Sequence, residues 1–347
     1  MFALIITGMH RSGTSLTASF IQSLGVDIGQ KMFPADICNV KGYFEDIDFL
    51  EFQRSLLQQS CPPGDPGWPD WGWTESETLD RTNWDRYTEA ANALIATRDR
   101  GQIWGWKDPR TSLLLEFWHG LLPNARYLLV YRSPWDVVDS ILRQNRGIFP
   151  QRPDYALKSW GFYNRHVLSF YRQHRDRCIL VNVNGFVRQP TRLVELLESK
   201  LGLRIQEPWD AGKFHQIYNA RLLQGLSEGD PMVRLVNNLM PQFAELLAEL
   251  DQEADIPRFD PGDPNEGPRL PLEALALLVH YQNISQQEQS RQEKIQLRSE
   301  VEQLQSEVEQ LQSEVDRLTH DLITIKKSRS WKLARKLARV SQKFRLK

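Results

Sequence analysis

The chain has 347 residues, a formal net charge of −1 at pH 7, and an ordinary hydrophobic content of 41%. This length accommodates one large α/β domain with an appendage and a sizeable core. The three cysteines, Cys38, Cys61 and Cys178, are odd in number and widely spaced. This spacing excludes a disulfide framework or a cysteine metal cluster and favours a reducing compartment.

The first residues bear on the cellular location. The apolar start has no basic segment before it, and Gly8, His10 and Arg11 interrupt the apolar run, which is unlike a signal peptide. No stretch approaches the roughly 18 consecutive apolar residues of a membrane span. We therefore expect a cytoplasmic protein, and its C-terminal end leaves peripheral membrane contact open.

The first predicted unit is a strand, a glycine-bounded loop and a helix. Residues 2–6 are apolar and rich in β-branched side chains, as in a buried parallel strand, and helical spacing begins at Leu16. In this geometry, backbone N–H groups and a helix N-terminus converge on an anion. The loop GMHRSGTS is therefore a predicted phosphate-type cradle, formed by Gly8, His10, Arg11, Ser12, Gly13, Thr14 and Ser15.

The cradle differs from a Walker A motif. Gly8 and Gly13 have the Walker spacing, but Thr14 occupies the lysine position and the cation lies earlier, at Arg11. Without that lysine, binding of a nucleoside triphosphate is disfavoured. A nucleotide with a shorter 5′ anionic group and no essential metal fits better.

Strand and helix patterns alternate along the next part of the chain. Further strands are predicted at residues 102–106, 125–131 and 177–183. Helices are predicted at residues 16–24, 48–58, 83–100, 113–121, 137–142, 155–175 and 190–201. This alternation predicts an α/β fold with a P-loop-type parallel sheet flanked by helices. The loops GMHRSGTS, WKDPRTS and YRSPWDVVDS leave strand ends, so we expect them to meet at one edge of the sheet.

Residues 61–74 form a segment rich in proline, glycine and tryptophan, which forbids regular structure. Trp68, Trp71 and Trp73 would either stack on an acceptor such as a sugar ring or pack the loop onto the core.

The chain divides by composition into four parts. Residues 1–254 form the P-loop domain, and residues 255–283 a Pro/Gly-rich linker with a short helix at 272–281. Residues 284–327 contain the repeat SEVEQLQ, and residues 328–347 form a basic amphipathic tail.

The repeat has apolar residues at heptad positions a and d: Val301, Val308, Val315 and Leu322 at a, and Leu304, Leu311, Leu318 and Ile325 at d. β-branched residues at a with leucine at d favour a parallel two-stranded coiled coil, so we expect a homodimer. The tail that follows resembles a helix that contacts a membrane surface or an acidic partner, or it is a solvated basic end.

The motifs together resemble the PAPS-dependent sulfotransferases (PAPS is 3′-phosphoadenosine 5′-phosphosulfate), specifically the bacterial group related to the tyrosylprotein enzymes. The resemblance runs from residue 2 to about residue 203. GMHRSGTS is similar to the family's 5′-phosphosulfate loop, with Arg11 at the cationic position. Arg132 and Ser140 match the arginine and serine that hold the 3′-phosphate of PAPS. Where many members have Tyr-Glu-Asp after a late strand, residues 182–184 read Asn-Val-Asn.

The resemblance implies sulfuryl transfer from PAPS by in-line displacement without an essential metal. Arg11 and Lys107 would neutralise the charge that develops on the leaving oxygen. Glu45 is the candidate general base, because relatives use a glutamate that follows the first helix. His10 is an alternative base or a loop neighbour, and Asp108 is expected to fix Lys107 or a backbone turn.

The expected acceptor is a hydroxyl of a glycan, glycolipid or small metabolite. No metal ligands and no nucleic-acid partner are expected. Two other functions remain open: a P-loop kinase of a small molecule, suggested by the glycine spacing, and a non-catalytic scaffold that acts through its coiled coil. The residues that match the donor site argue against the scaffold.

Overall fold

The computed structural model describes residues 2–34, 42–62, 70–98, 103–145, 147–205, 230–258 and 272–344, with a few positions between 209 and 226. The chain forms two compact units, Met1–Arg269 and Leu270–Lys347. Cys38, Trp68 and the linker residues 259–271 lie outside the described residues. Within the described part, no helix combines the length and the apolar character that a membrane crossing requires.

A parallel four-stranded sheet forms the centre of the first unit. Its strands are β1 (Ala3–Thr7), β2 (Trp104–Lys107), β3 (Arg126–Tyr131) and β4 (Cys178–Asn182), in the order β2-β1-β3-β4. Almost every strand residue is buried, as expected of a parallel sheet covered on both faces. The predicted fold class is confirmed.

Ten described helices of the first unit flank this sheet or follow it. They are α1 (Thr14–Ser23), α2 (Ile47–Gln59), α3 (Thr88–Arg98), α4 (Leu115–Leu121), α5 (Pro134–Arg143), α6 (Asp154–Gln173), α7 (Val183–Arg188), α8 (Pro190–Ser199), α9 (Pro231–Leu239) and α10 (Pro241–Glu253). Short 3₁₀ turns occupy Trp84–Tyr87, Pro109–Leu113 and Arg175–Arg177.

Capping side chains explain two of the boundaries that differ from the prediction. β4 ends at Asn182, whose side chain accepts a hydrogen bond from Asn184 N at 2.9 Å and begins α7. The predicted helix 113–121 is preceded by a 3₁₀ turn, because Asp108 accepts from Arg110 N at 2.8 Å and Pro109 follows.

Most of the tryptophans belong to the hydrophobic core. Those buried are Trp73, Trp84, Trp104, Trp106, Trp118, Trp135 and Trp160. Trp106 stacks on Phe49 with ring centroids 4.3 Å apart. Of the loop tryptophans, Trp73 is 1% exposed and packs in the core, whereas Trp71 is only partly buried. The packing interpretation therefore holds for Trp73.

The second unit consists of α11 (Leu272–Lys327) and α12 (Arg329–Phe344). The short helix predicted at 272–281 is the first part of α11, which continues without a break past residue 283. The eight heptad core residues that were predicted are each 50–63% exposed. The helix breaks at Ser328, whose Oγ accepts from Trp331 N at 3.2 Å and caps α12.

Candidate functional site

The three polar loops meet at the carboxyl edge of the sheet. Arg11 Nε, from the first loop, donates to Ser140 Oγ on α5 at 3.0 Å. Arg132 Nη1, at the end of β3, donates to the Arg11 carbonyl at 3.3 Å. Lys107 Nζ, at the end of β2, donates to Ser15 Oγ at 3.4 Å. The predicted convergence of side chains from separate loops is therefore present in the fold.

The glycines of the first loop are required by close packing. A Cβ on Gly8 would lie 1.9 Å from the Val130 carbonyl oxygen of β3, and φ at Gly8 is +154°. A Cβ on Gly13 would lie 2.3 Å from Val183 Cγ2, and φ there is +91°. The loop is thus held between β3 and α7, and any side chain at either position would displace it.

The start of α1 has the features of an anion site. Gly13 is the N-cap and supplies no side-chain hydrogen bond, and the first turn of this described helix contains no acidic residue. Ser12 Oγ beside it is buried and has no hydrogen-bond partner among the described residues. Unsatisfied N–H groups at a helix N-terminus with a buried hydroxyl nearby suit an anionic group. The residues present therefore fit the 5′ end of a donor such as PAPS.

Lys107 and Glu45 form a buried ion pair beside the loop. Lys107 Nζ lies 2.8 Å from Glu45 Oε1, and the side chains are 2% and 7% exposed. The same ammonium donates to the Tyr43 carbonyl at 2.9 Å. A buried pair of this kind is costly to break from either side, because the remaining charge loses its partner. The predicted leaving-group cation and the predicted base therefore contact each other.

Asp46, the residue after Glu45, is fixed by several buried contacts. Asp46 accepts from Asp48 N at 3.0 Å, which caps α2, and from Gln30 N at 2.7 Å. Arg98 Nη2 donates to Asp46 Oδ1 at 2.8 Å, with both side chains almost completely buried. The sequence prediction did not include Asp46 or Arg98 in the site. Aspartate before a helical pattern is a capping signal that could have identified Asp46.

Arg132 is deeply buried at the end of β3. Its Nε lies 3.5 Å from Asp136 Oδ2, one helical turn further on, and its carbonyl accepts from Trp160 Nε1 at 2.9 Å. Burial lowers the pKa of Arg132 and raises that of Asp136, and their mutual attraction opposes both shifts. Asp136 Oδ1 also accepts from Leu226 N at 2.8 Å. The guanidinium is therefore held rigidly towards the first loop.

His10 lies in an aromatic cluster on another side of the loop. Its ring centroid is 4.3 Å from that of Trp71 and 5.9 Å from that of Tyr163. Burial, with Arg110, Lys107 and Arg11 nearby, lowers the pKa of His10 well below its usual value of 6.5. The imidazole is therefore neutral at pH 7, and its Nε2 is buried without a partner among the described residues.

Asp108 fixes a backbone turn, one of its two expected roles. Its Oδ1 accepts from Arg110 N at 2.8 Å and from Arg110 Nη1 at 3.0 Å. Burial, followed by repulsion from Glu45, raises the pKa of Asp108 to about 6 despite the adjacent Arg110. Arg110 also contacts Asp70 at 3.2 Å. The prediction did not include Arg110, although it belongs to the quoted motif WKDPRTS.

The sheet, the loop after its first strand and the cations around that loop define a P-loop-type α/β enzyme fold. The family model described as Sulfotransferase family matches residues 3–207, more than half of the chain. The chain therefore belongs to the sulfotransferase family and is a sulfotransferase enzyme, as the sequence motifs predict. No match was found among curated proteins.

Several solved structures are distantly similar. The sulfotransferase domain of the Synechococcus PCC 7002 olefin synthase is 18% identical, with a TM-score of 0.39, and the match covers 71% of this chain and 92% of that one. A sulfotransferase of Mycobacterium tuberculosis is 14% identical, with a TM-score of 0.43 and coverage of 70% and 76%. Because these scores are below 0.5, the family assignment rests on the family model.

Proposed function

We propose that this enzyme transfers the sulfuryl group of PAPS to a hydroxyl of a glycan, glycolipid or small metabolite, without an essential metal. The observation that carries the proposal is the convergence of three cations on one loop. Arg11, Lys107 and Arg132 come from three different strand ends and are linked through Ser15, Ser140 and the Arg11 carbonyl. A nucleotide with an anionic group at each of its two ends is best bound by cations at both ends.

In this proposal, the two ends of the donor occupy neighbouring groups of residues. The N-terminus of α1 and Ser12 Oγ would hold the 5′ end, with Arg11 at its side. Arg132 and Ser140 would hold the 3′-phosphate. Arg11 Nε donates to Ser140 Oγ, so the residues proposed for the 5′ end lie next to those proposed for the 3′-phosphate. Arg11 lies at the boundary between the two groups of residues.

The proposed reaction replaces one S–O bond with another. PAPS supplies the sulfuryl group, the acceptor hydroxyl oxygen bonds to sulfur, and adenosine 3′,5′-bisphosphate leaves. The acceptor proton passes to Glu45, the proposed general base. Protonation of Glu45 weakens its attraction to Lys107, 2.8 Å away. The Lys107 charge can then stabilise the negative charge that develops on the leaving oxygen. In this way the ion pair couples deprotonation of the acceptor hydroxyl to departure of adenosine 3′,5′-bisphosphate.

Calorimetric titration tests the donor site. We expect metal-free binding of adenosine 3′,5′-bisphosphate with a Kd in the micromolar range, and weakening of about 100-fold or more in Arg132→Ala. Arg126→Ala is the matched control. Arg126 is the first residue of β3, at the amino ends of the strands, whereas Arg132 follows β3 at the carboxyl ends. If Arg132→Ala bound the bisphosphate as tightly as the wild type, the assignment of Arg132 to the donor site would be contradicted. If the protein bound ATP with magnesium but not the bisphosphate, the kinase alternative would be favoured.

We also propose that α11 pairs with a second copy as a parallel coiled coil. The eight apolar residues at heptad positions a and d form a continuous stripe along α11, and each of them is at least 50% exposed. The four g positions are all acidic: Glu300, Glu307, Glu314 and Asp321. An antiparallel pair would bring these acids together, whereas a parallel pair places Asp321 beside Lys326 of the partner subunit. The charges therefore favour the parallel arrangement.

A further inference from the structure

The terminal helix α12 has one apolar and one basic face. Leu333 and Leu337, one turn apart on the same face, are each 63% exposed. Lys332, Arg335 and Lys336 are also exposed and fall on a different face at helical spacing. From Lys326 to the last residue the sequence has ten Lys or Arg and no Asp or Glu.

The apolar face of α12 does not continue the core of the coiled coil. Extending the heptads beyond Ile325 puts Arg329, Lys332 and Lys336 at successive a and d positions. Three successive cations in a coiled-coil core would lose their hydration without gaining a partner. The cap at Ser328 ends the heptad helix at this change of pattern. Leu333 and Leu337 therefore need a covering surface other than the partner α11.

We propose that α12 docks on a membrane surface that contains anionic lipid. Such a surface offers an apolar layer directly beneath an anionic layer, which matches two faces of one helix. The basic face would contact lipid phosphates, while Leu333 and Leu337 would enter the boundary of the acyl chains. A soluble acidic polymer satisfies only the basic face and leaves both leucines exposed.

Pairing of α11 strengthens this docking. A parallel coiled coil brings both copies of α12 to the same end of the rod, so a dimer presents two docking helices to one surface. Binding of the second helix is then intramolecular, and the overall affinity exceeds that of a single helix. This docking is independent of the donor site and of catalysis.

The test is co-sedimentation of the full chain with vesicles of phosphatidylcholine, with and without phosphatidylglycerol. We expect binding only to the vesicles that contain phosphatidylglycerol, and weakening as salt rises. Leu333→Ser with Leu337→Ser should weaken binding at least tenfold, although every charge remains. Leu239→Ser is the matched control, because Leu239 is 47% exposed on α9.

Three outcomes would overturn the proposal. One is absence of binding to either vesicle, and another is equal binding to both. The third is undiminished binding by the double leucine variant, which would reduce the contact to attraction between a basic segment and any polyanion. Light scattering of the double variant, expected to retain the mass of the wild type, shows that a loss of binding is not a loss of assembly.

Discussion

The two units of the chain place the same apolar residue types in opposite environments. In the first unit, the leucines and valines of the sheet are 0% exposed, including Leu4, Leu128 and Val181. In α11, Val308 and Leu311 are 63% and 62% exposed. The first unit completes its own core, whereas the described heptad positions of α11 are exposed. Apolar periodicity is present in both, but among the described residues it is covered in the first unit alone.

The units also differ in how they treat charge. The first unit buries ion pairs at its site, Lys107 with Glu45 and Arg98 with Asp46. Burying such pairs costs solvation, which the pairing offsets only while both partners remain. In the described part of α11 from residue 296 onward, charged side chains are exposed. Substitutions should therefore affect stability strongly at the site and affect assembly at the helix.

The largest effect is expected from Lys107→Ala. The substitution leaves Glu45 buried without its cation, which should cost about 3–5 kcal/mol of folding free energy. It also removes a charge that stabilises the leaving group, which should lower kcat about 100- to 1,000-fold. Thermal unfolding and turnover with PAPS measure the two effects. Adding Glu45→Gln should recover most of the stability without the activity, and recovery of both would contradict the role of Lys107.

At the helix, Leu311→Glu should abolish assembly without destabilising the first unit. Two glutamates facing each other in an apolar core would remain unpaired, so the dimer should dissociate. Light scattering at micromolar concentration should give half the mass of the wild type, with an unchanged unfolding midpoint for the first unit. Ser313→Glu, at the outward f position, is the control and should remain dimeric. A monomeric wild type would refute the pairing.

Within the site, Glu45→Gln and His10→Asn distinguish the two candidate bases. Glutamine can still accept from Lys107 but cannot take a proton, so kcat should fall about 100-fold or more if Glu45 is the base. His10→Asn should then lower kcat less than tenfold. Both variants should bind adenosine 3′,5′-bisphosphate as the wild type does. A larger decrease of kcat in His10→Asn than in Glu45→Gln would indicate that His10 is the general base.

The smallest effect is a pH dependence of stability. The folded-state pKa of His10 lies well below the unfolded value of about 6.5, so only the unfolded chain takes up this proton as the pH falls below 6.5. The wild type should therefore lose stability as the pH falls below 6.5, with a slope that approaches about 1.4 kcal/mol per pH unit from this residue, and His10→Gln should not. Denaturant unfolding from pH 7 to pH 5 gives the difference, and parallel curves would contradict a buried neutral imidazole.

Local patterns predicted the elements of this protein well. The strand ends deviate by no more than two residues, since each strand is a short apolar run followed by a polar loop. The continuity of α11 was missed because the apolar pattern changes near residue 283. Residues 272–327 contain neither glycine nor proline, so no helix-breaking residue interrupts α11 at this change of pattern.

Pairings between distant residues were predicted less completely. The meeting of the three loops follows from the parallel sheet, but the contact between Lys107 and Glu45 does not, because no helical or strand periodicity in the sequence fixes the position of Glu45. Arg98 and Asp46 are 52 positions apart and are joined only by the packing of α3 on α2. Tyr163 has an inward helical position but no sequence signal that places it beside His10.

The support of the first loop limits how far this motif can be transplanted. Arg11 adopts a left-handed backbone with φ of +66°. Its side chain is held from 129 positions away by Ser140, and its carbonyl from 121 positions away by Arg132. The eight letters GMHRSGTS therefore do not encode their own shape. A graft of this segment onto another scaffold would have to carry the stretch from the end of β3 to Ser140 of α5 with it, so the shape of the loop depends on two separate chain segments inherited together.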